Sequence, residues 1–138
     1  MSETLCIDVD IDIEVPMNIV PLVSDTDFKT AVTNLAYNTS GLLVYWNFVT
    51  TAGAQTQVQI HPTTSGAHDV VNNGNGIYSI EIPATSGDHA SNDTEGFGWI
   101  SGVCPATCLP FRGPMICFRA AGLNNVLIDN AYSATRGL

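Results

Sequence analysis

Hydrophobic and polar positions alternate along much of the chain, and the alternation has the period of strands. Residues 5 to 15 are the clearest case. Leu5, Ile7, Val9, Ile11, Ile13 and Val15 form one face, and Asp8, Asp10, Asp12 and Glu14 form the other. That pattern predicts one half-buried strand. Gly41 to Thr50 is apolar on both faces, with Leu42, Val44, Trp46 and Phe48 on one and Leu43, Tyr45 and Val49 on the other. A strand of this kind is expected at the centre of a sheet, covered on both sides. Gln55 to Ile60 alternates again and stops at His61-Pro62. Gly74-Asn75-Gly76 predicts a turn, because both residue types accept positive φ. It feeds a strand whose Tyr78, Ile80 and Ile82 make a core face.

Gly96 to Cys104 reads as a strand with Phe97, Trp99 and Val103 on one side and glycines 96, 98 and 102 on the other. Glycine along one strand face lets a backbone or an aromatic ring come close, or marks a bulge. Met115 to Ala120 is the last strand of the pattern. Between the strands, Pro16 and Pro21 close the first one, and Ala31 to Tyr37 shows no clean period. Residues 63 to 73 read as polar loop with Val70-Val71 as their apolar pair, residues 85 to 94 as a long polar loop, and residues 105 to 114 as another. Six or seven strands divided by turn signals predict an all-β chain forming a single antiparallel β-sandwich, Ig-like or jelly-roll-like. The expected division is an N-terminal strand and attachment segment at 1–24, a sandwich core at 25–121, and an extended or short-helical tail or linker at 122–138. The expected core joins Trp46, Phe48, Tyr78, Ile80, Phe97 and Trp99 between the two sheets.

Charge narrows the classes of partner. Among 138 residues, a Lys+Arg count of 4 against an Asp+Glu count of 13 gives a net charge of −9. Phosphate-backbone binding needs clustered basic side chains, so no nucleic-acid partner is expected. The start lacks the regions of a secretory signal, and no apolar run approaches the roughly 20 residues of a membrane span. Synthesis in the cytoplasm without membrane insertion is the expectation. The acidic strip of residues 8 to 14 reads as a solvated face that discourages edge pairing, or as a surface meeting a basic neighbour or a divalent ion. Arg112 and Arg119 are each expected to pair with a carboxylate.

Candidate chemistry is sparse. Cys104-x3-Cys108 with His61, His68 and His89 raises a zinc site, since thiolate and imidazole are zinc ligands, but there is no second Cys pair. A Cys104–Cys108 disulfide would need an oxidising environment. Cys6 and Cys117 sit inside strand patterns and read as core fillers. Nothing supplies a nucleophile elbow, a phosphate loop or a dinucleotide fingerprint, and the loop carrying Asp88, Asp93 and Glu95 has no feature that fixes a carboxylate separation. The expectation is therefore no enzyme, no catalytic residue, no cofactor and no metal.

Four stretches carry a resemblance: Gly74-Asn-Gly-Ile-Tyr-Ser-Ile-Glu-Ile-Pro-Ala84, Asn92-Asp-Thr-Glu-Gly-Phe-Gly-Trp99, Leu109-Pro-Phe-Arg-Gly-Pro114 and Phe118-Arg-Ala-Ala-Gly-Leu-Asn-Asn125. With them the chain resembles the β-sandwich modules of tailed-phage virion proteins over residues 25 to 138. The resemblance implies a virion structural protein of the capsid-decoration, head-fibre or tail-fibre type, located on the virion. It would be held by contacts with other virion proteins in a homo-oligomer, a trimer being the favoured symmetry. The alternative is a module of a tail fibre or baseplate that binds a host-surface glycan or receptor. Trp46 and Trp99, both in strand patterns, are expected to be buried rather than to form a sugar platform. Asp8, Asp10, Asp12, Glu14, Asp88, His89, Asp93, Arg112, Tyr132 and Arg136 are the candidate interface residues. The strand from Leu5 to Val15 is expected at a sheet edge, with its acidic side facing a neighbour.

Overall fold

The computed structural model describes residues 6–85 and 90–120, and every count below is of these residues. Nine strands and no helix are present: β1 Cys6–Asp8, β2 Ile13–Pro16, β3 Leu43–Thr50, β4 Gln55–Ile60, β5 Val70–Gly74, β6 Ile77–Ile82, β7 Gly96–Cys104, β8 Cys108–Arg112 and β9 Ile116–Arg119. They form a 6-stranded sheet in the order β1-β9-β7-β3-β4, with β8 also paired to β7, and a 3-stranded sheet in the order β2-β6-β5. All pairings are antiparallel except β1 with β9. The chain is an all-β sandwich.

The two sheets close on one apolar core. Val15, Tyr78, Ile80 and Ile82 of the small sheet are fully buried, as are Val44 and Ile100 of the large one. Trp46, Phe111, Ile116 and Phe118 complete the large sheet's inner face. Tyr78 buries a polar tip as well, and that tip is satisfied. Its hydroxyl donates to the Val32 carbonyl at 2.8 Å and accepts from the Leu35 amide at 3.1 Å. The segment 31–37 is thus irregular chain pinned to the core by Tyr78, Val32 and Leu35, neither helix nor strand. Asn18 acts similarly, accepting from the Tyr78 amide and donating to the Gly76 and Val20 carbonyls. The expected turn is formed, with Gly74, Asn75 and Gly76 all at positive φ.

Residues 6 to 16 hold two strands rather than the single one expected over 5 to 15. β1 lies at the edge of the large sheet and β2 at the edge of the small one. Between them Asp10 takes a φ of 66°, a conformation that Asp tolerates better than most residues, and the chain crosses from sheet to sheet. Asn92 holds the crossing by donating to the Asp8 and Ile11 carbonyls. Asp12 accepts from the Ala84 amide at 2.7 Å. The crossing leaves Ile11 exposed, outside the expected aliphatic face.

Two stretches expected as loops are strands: Val70–Gly74, which ends in a bulge, and Cys108–Arg112, which pairs with β7 despite Pro110. Cys6 and Cys117 are not core fillers. They stand opposite each other in the β1–β9 pair and form a disulfide across a sequence separation of 111.

The largest correction concerns β7. Its glycine face points into the core, where the rings of Trp46, Phe48 and Phe111 fill the space that side chains would take. A Cβ built on Gly98 would overlap the Trp46 indole, and one on Gly102 would overlap Phe111. Phe97 and Trp99 therefore lie on the outer face, with Phe97 42 % exposed. The glycines do admit aromatic rings, as the sequence suggests, but Phe97 and Trp99 do not belong to the core. The outer face of β3 likewise carries no second layer among the described residues, contrary to expectation, with Leu43 exposed and Tyr45 and Val49 half-buried.

This register separates two truncations. Trp46→Ala should cost roughly 3–5 kcal/mol of unfolding free energy, whereas Phe97→Ala should cost less than about 1 kcal/mol. Urea denaturation of both variants checks the assignment, and equal losses would overturn it. Reduction of the Cys6–Cys117 bridge should remove about 2–5 kcal/mol in the same assay.

Candidate interaction surface

Because β7 turns its glycines inward, Phe97, Trp99, Ser101 and Val103 project from the outer face of the large sheet. The register sets them in rows. Phe97 lies between Val49 and Cys117. Trp99 stands beside Asn47, which pairs in turn with Gln57. Ser101 lies between Tyr45 and Arg112. The Arg112 guanidinium sits 5.8 Å from the centre of the Trp99 ring, within range of a cation–π contact. Among the described residues its expected carboxylate partner does not appear, and its Nε donates to the Gly113 carbonyl.

A chain of hydrogen bonds from side-chain amides ties the rows together. Asn47 is buried although it belongs to the outer face, and its Nδ2 donates to Ser101 Oγ at 2.9 Å and to the Trp99 carbonyl at 3.2 Å. Gln57 Nε2 donates to Asn47 Oδ1 at 2.7 Å. At the far end the Cys6–Cys117 bridge follows Phe97, and Arg119 meets Asp8 at 3.0 Å. The surface is aromatic at its middle, rich in amides on one side and ionic at one end. Such a face can stack on a flat partner surface and hydrogen-bond around the stack.

The four N-terminal carboxylates do not form one acidic strip, because the sheet crossing divides them. Asp8 pairs with Arg119 on the large sheet and is the carboxylate partner expected for that arginine. Asp10 is exposed at the crossing, and Asp12 caps the Ala84 amide. Glu14 stands directly opposite Glu81 on the small sheet. Carboxylate oxygens of Glu14, Glu81 and Asp69 all lie within 4.8 Å of one another. Burial, followed by the charges of Asp12, Asp69 and Glu14, raises the Glu81 pKa above its ordinary value. Like charges this close repel one another, which adds to the effect of burial on Glu81.

The remaining candidates scatter. Asp93 is exposed and accepts from Thr94 Oγ1. Asp88, His89, Tyr132 and Arg136 lie outside the described residues. Cys104 and Cys108 face each other across the β7–β8 turn as buried free thiols. Desolvation, then the Cys104 and Asp25 charges, pushes the Cys108 thiol up to about 11, far from a nucleophilic thiolate. His61 is exposed, while His68 is buried with Nδ1 3.1 Å from the Glu81 carbonyl. Among the described residues no histidine joins the two thiols in a ligand set of three. Phe97, Trp99, Asn47 and Gln57 are the functional candidates that sequence reasoning missed. The glycine stripe was the available signal, since a face that admits rings from a neighbour must be the core face.

No protein-family model matches the chain, and no curated protein does. Among solved structures the chain is similar to the one titled crystal structure of the ZIG-8–RIG-5 IG1–IG1 heterodimer. The TM-score is 0.38 and the identity 10 %, with 88 % of this chain and 84 % of that chain covered. A likeness of that degree carries nothing about role.

The Glu81 shift has a definite sign. A carboxyl whose folded pKa lies above its unfolded value, about 4.3 for Glu, binds its proton more tightly when folded. Its contribution is favourable below the unfolded pKa and is lost as pH rises through the folded one. Glu81→Gln should therefore raise the melting temperature at pH 7 and flatten the fall in stability with rising pH. Thermal melts on both sides of the carboxylate range test this, and a lower neutral-pH melting temperature for the variant would refute it.

Proposed function

We propose that this chain is a non-enzymatic virion surface module of a tailed phage, of the decoration or fibre type, acting through the outer face of its six-stranded sheet. The observation that carries the reading is the open aromatic face: Phe97 exposed, Trp99 under Arg112, and the Asn47–Gln57 amides beside them. Large aromatics with Arg, on a face that no described residue covers, are typical of contact centres. The resemblance of residues 25 to 138 to virion modules supplies the setting. The Cys6–Cys117 bridge supports it, since disulfides persist outside the reducing cytoplasm, on particle surfaces among other places. Partners of this reading are other virion proteins and further copies of the chain.

A second reading, a glycan-binding module, is favoured by one specific finding. Trp99 is half-buried on the outer face instead of lying in the core, with the exposed amides of Gln55, Gln57 and Gln59 on the same face for hydroxyl groups. Aromatic faces and amide donors are what a sugar ring requires.

The Phe97→Ala/Trp99→Ala double variant decides between them. It should keep the fold, because neither ring is in the core, and should lose most of its incorporation when particles are assembled with it in place of wild type. Wild-type occupancy together with loss of binding on a host-glycan array would transfer the function to the second reading. Unchanged behaviour in both assays would refute the outer face altogether.

A further inference from the structure

The strand edges of this sandwich are not equally protected. β1 is 3 residues long and carries the Asp8–Arg119 pair. β2 carries Glu14 and ends at Pro16. β5 is broken by the irregularity between Asn72 and Gly74. β8 contains Pro110 and Arg112, and its Cys108 is bridged by Ser24. Short length, charge, proline and bulges are the devices that keep edges from pairing with other chains. β4 has none of them. Its 6 residues, Gln-Thr-Gln-Val-Gln-Ile, pair with β3 in unbroken register and hold no charge or proline. Among the described residues nothing pairs with its other side.

The direction of its backbone groups follows from the ladder. The Thr50 amide donates to the Ala54 carbonyl at 2.9 Å, which makes that pair a hydrogen-bonded one. Bonded and non-bonded pairs alternate in an antiparallel ladder. Phe48 with Thr56, Trp46 with Val58 and Val44 with Ile60 are then the bonded pairs. Gln55, Gln57 and Gln59 consequently point their N–H and C=O groups away from β3, toward the open edge. The far side of the sheet obeys the same phase, since the Ile100 carbonyl accepts from Gly113 and the Arg119 carbonyl from Val9.

We propose that β4 is a homotypic docking edge, at which a second copy of this chain adds its own β4 antiparallel across a two-fold axis through Gln57. Charge selects the occupant. The chain carries −9, so two copies repel over most of their surface, yet no Asp, Glu, Lys or Arg occurs between Lys29 and Asp69. The β3–β4 hairpin lies wholly within that uncharged span. It is the part of the chain that one acidic copy can bring against another without opposed carboxylates. The edge is also self-complementary: Gln57 meets its own counterpart, and Gln55 meets Gln59 of the second copy. Those pairs supply about six backbone hydrogen bonds and place a row of neutral amide side chains across the axis. The two large sheets then run on as one, with both outer faces on the same side. This inference stands apart from the choice between the virion and glycan readings.

The full chain should show a concentration-dependent doubling of mass by light scattering or sedimentation. Gln57→Pro removes one outward N–H and leaves the β3–β4 bonds intact, so it should shift the protein to monomer. Gln57→Lys, which sets two like charges directly opposite each other on the axis, should do the same and covers the case in which the proline variant does not fold. Geometry gives a sharper arm. Directly bonded antiparallel partners have Cα atoms about 5.5 Å apart, within disulfide range. Gln57→Cys should therefore crosslink to itself under oxidation, and Gln55→Cys should crosslink to Gln59→Cys in a mixture. A wild-type protein monomeric at all concentrations would overturn the proposal. So would a dimer or trimer insensitive to Gln57→Lys, or a folded Gln57→Cys variant that stays uncrosslinked.

Discussion

The fold depends on the contact between the glycine face of β7 and the rings of Trp46, Phe48 and Phe111. Those rings come from β3 and β8, on either side of β7, and lean over it where Cβ atoms are absent. Trp46 and Phe118 meet edge to face at 5.8 Å, and Phe48 lies 6.1 Å from both of them. Such arrangements add to the area term because the ring quadrupoles are complementary. The consequence reaches outside the core. Side chains alternate across a strand, so admitting rings over glycines 98 and 102 sends Phe97, Trp99, Ser101 and Val103 outward. The exposed aromatic face is the other side of the core's packing solution.

Periodicity revealed the strands and the two-sheet architecture but not which face of β7 is inside. Alternation states which residues share a face, whereas the choice of face depends on neighbours distant in sequence. Size misleads here, because the bulk over glycines 98 and 102 is supplied by side chains of the flanking strands. The same limit applies to residues 6 to 16. Alternation continues through Asp10, and a crossing between sheets needs only one residue at positive φ to occur. Local hydrophobicity does not record that event. β5 and β8 were hidden for another reason: each is short, and a bulge or a proline interrupts it.

The cysteines and carboxylates show how register decides chemistry. Cys6 and Cys117 become neighbours only because β1 joins β9 in parallel, a pairing between the two ends of the described chain. The bridge fastens an edge strand too short to hold by its own ladder, and the Asp8–Arg119 pair lies two residues further along the same rows. An exposed ion pair contributes roughly 0–1 kcal/mol, so the covalent link dominates that edge. Glu14, from the same acidic run, is carried to the other sheet and set against Glu81, where charge is unfavourable. Carboxylates from one alternating stretch thus have opposite electrostatic roles.

The outer face and the β4 edge are parts of one surface. Gln57 belongs to both: its side chain holds Asn47, which holds Ser101 and the Trp99 carbonyl, while its backbone points to the open edge. A second copy added there would extend the amide row and bring two aromatic faces into one plane, a fixed distance apart. A face offering little more than Phe97, Trp99 and Arg112 binds weakly alone. Two such faces on a rigid sheet bind the second site as an intramolecular event, and avidity then rises by orders of magnitude without any new contact. On the proposed function, where the partner is a capsid lattice or a glycan-coated surface with repeated sites, the uncharged edge would do as much for binding as the aromatic face itself.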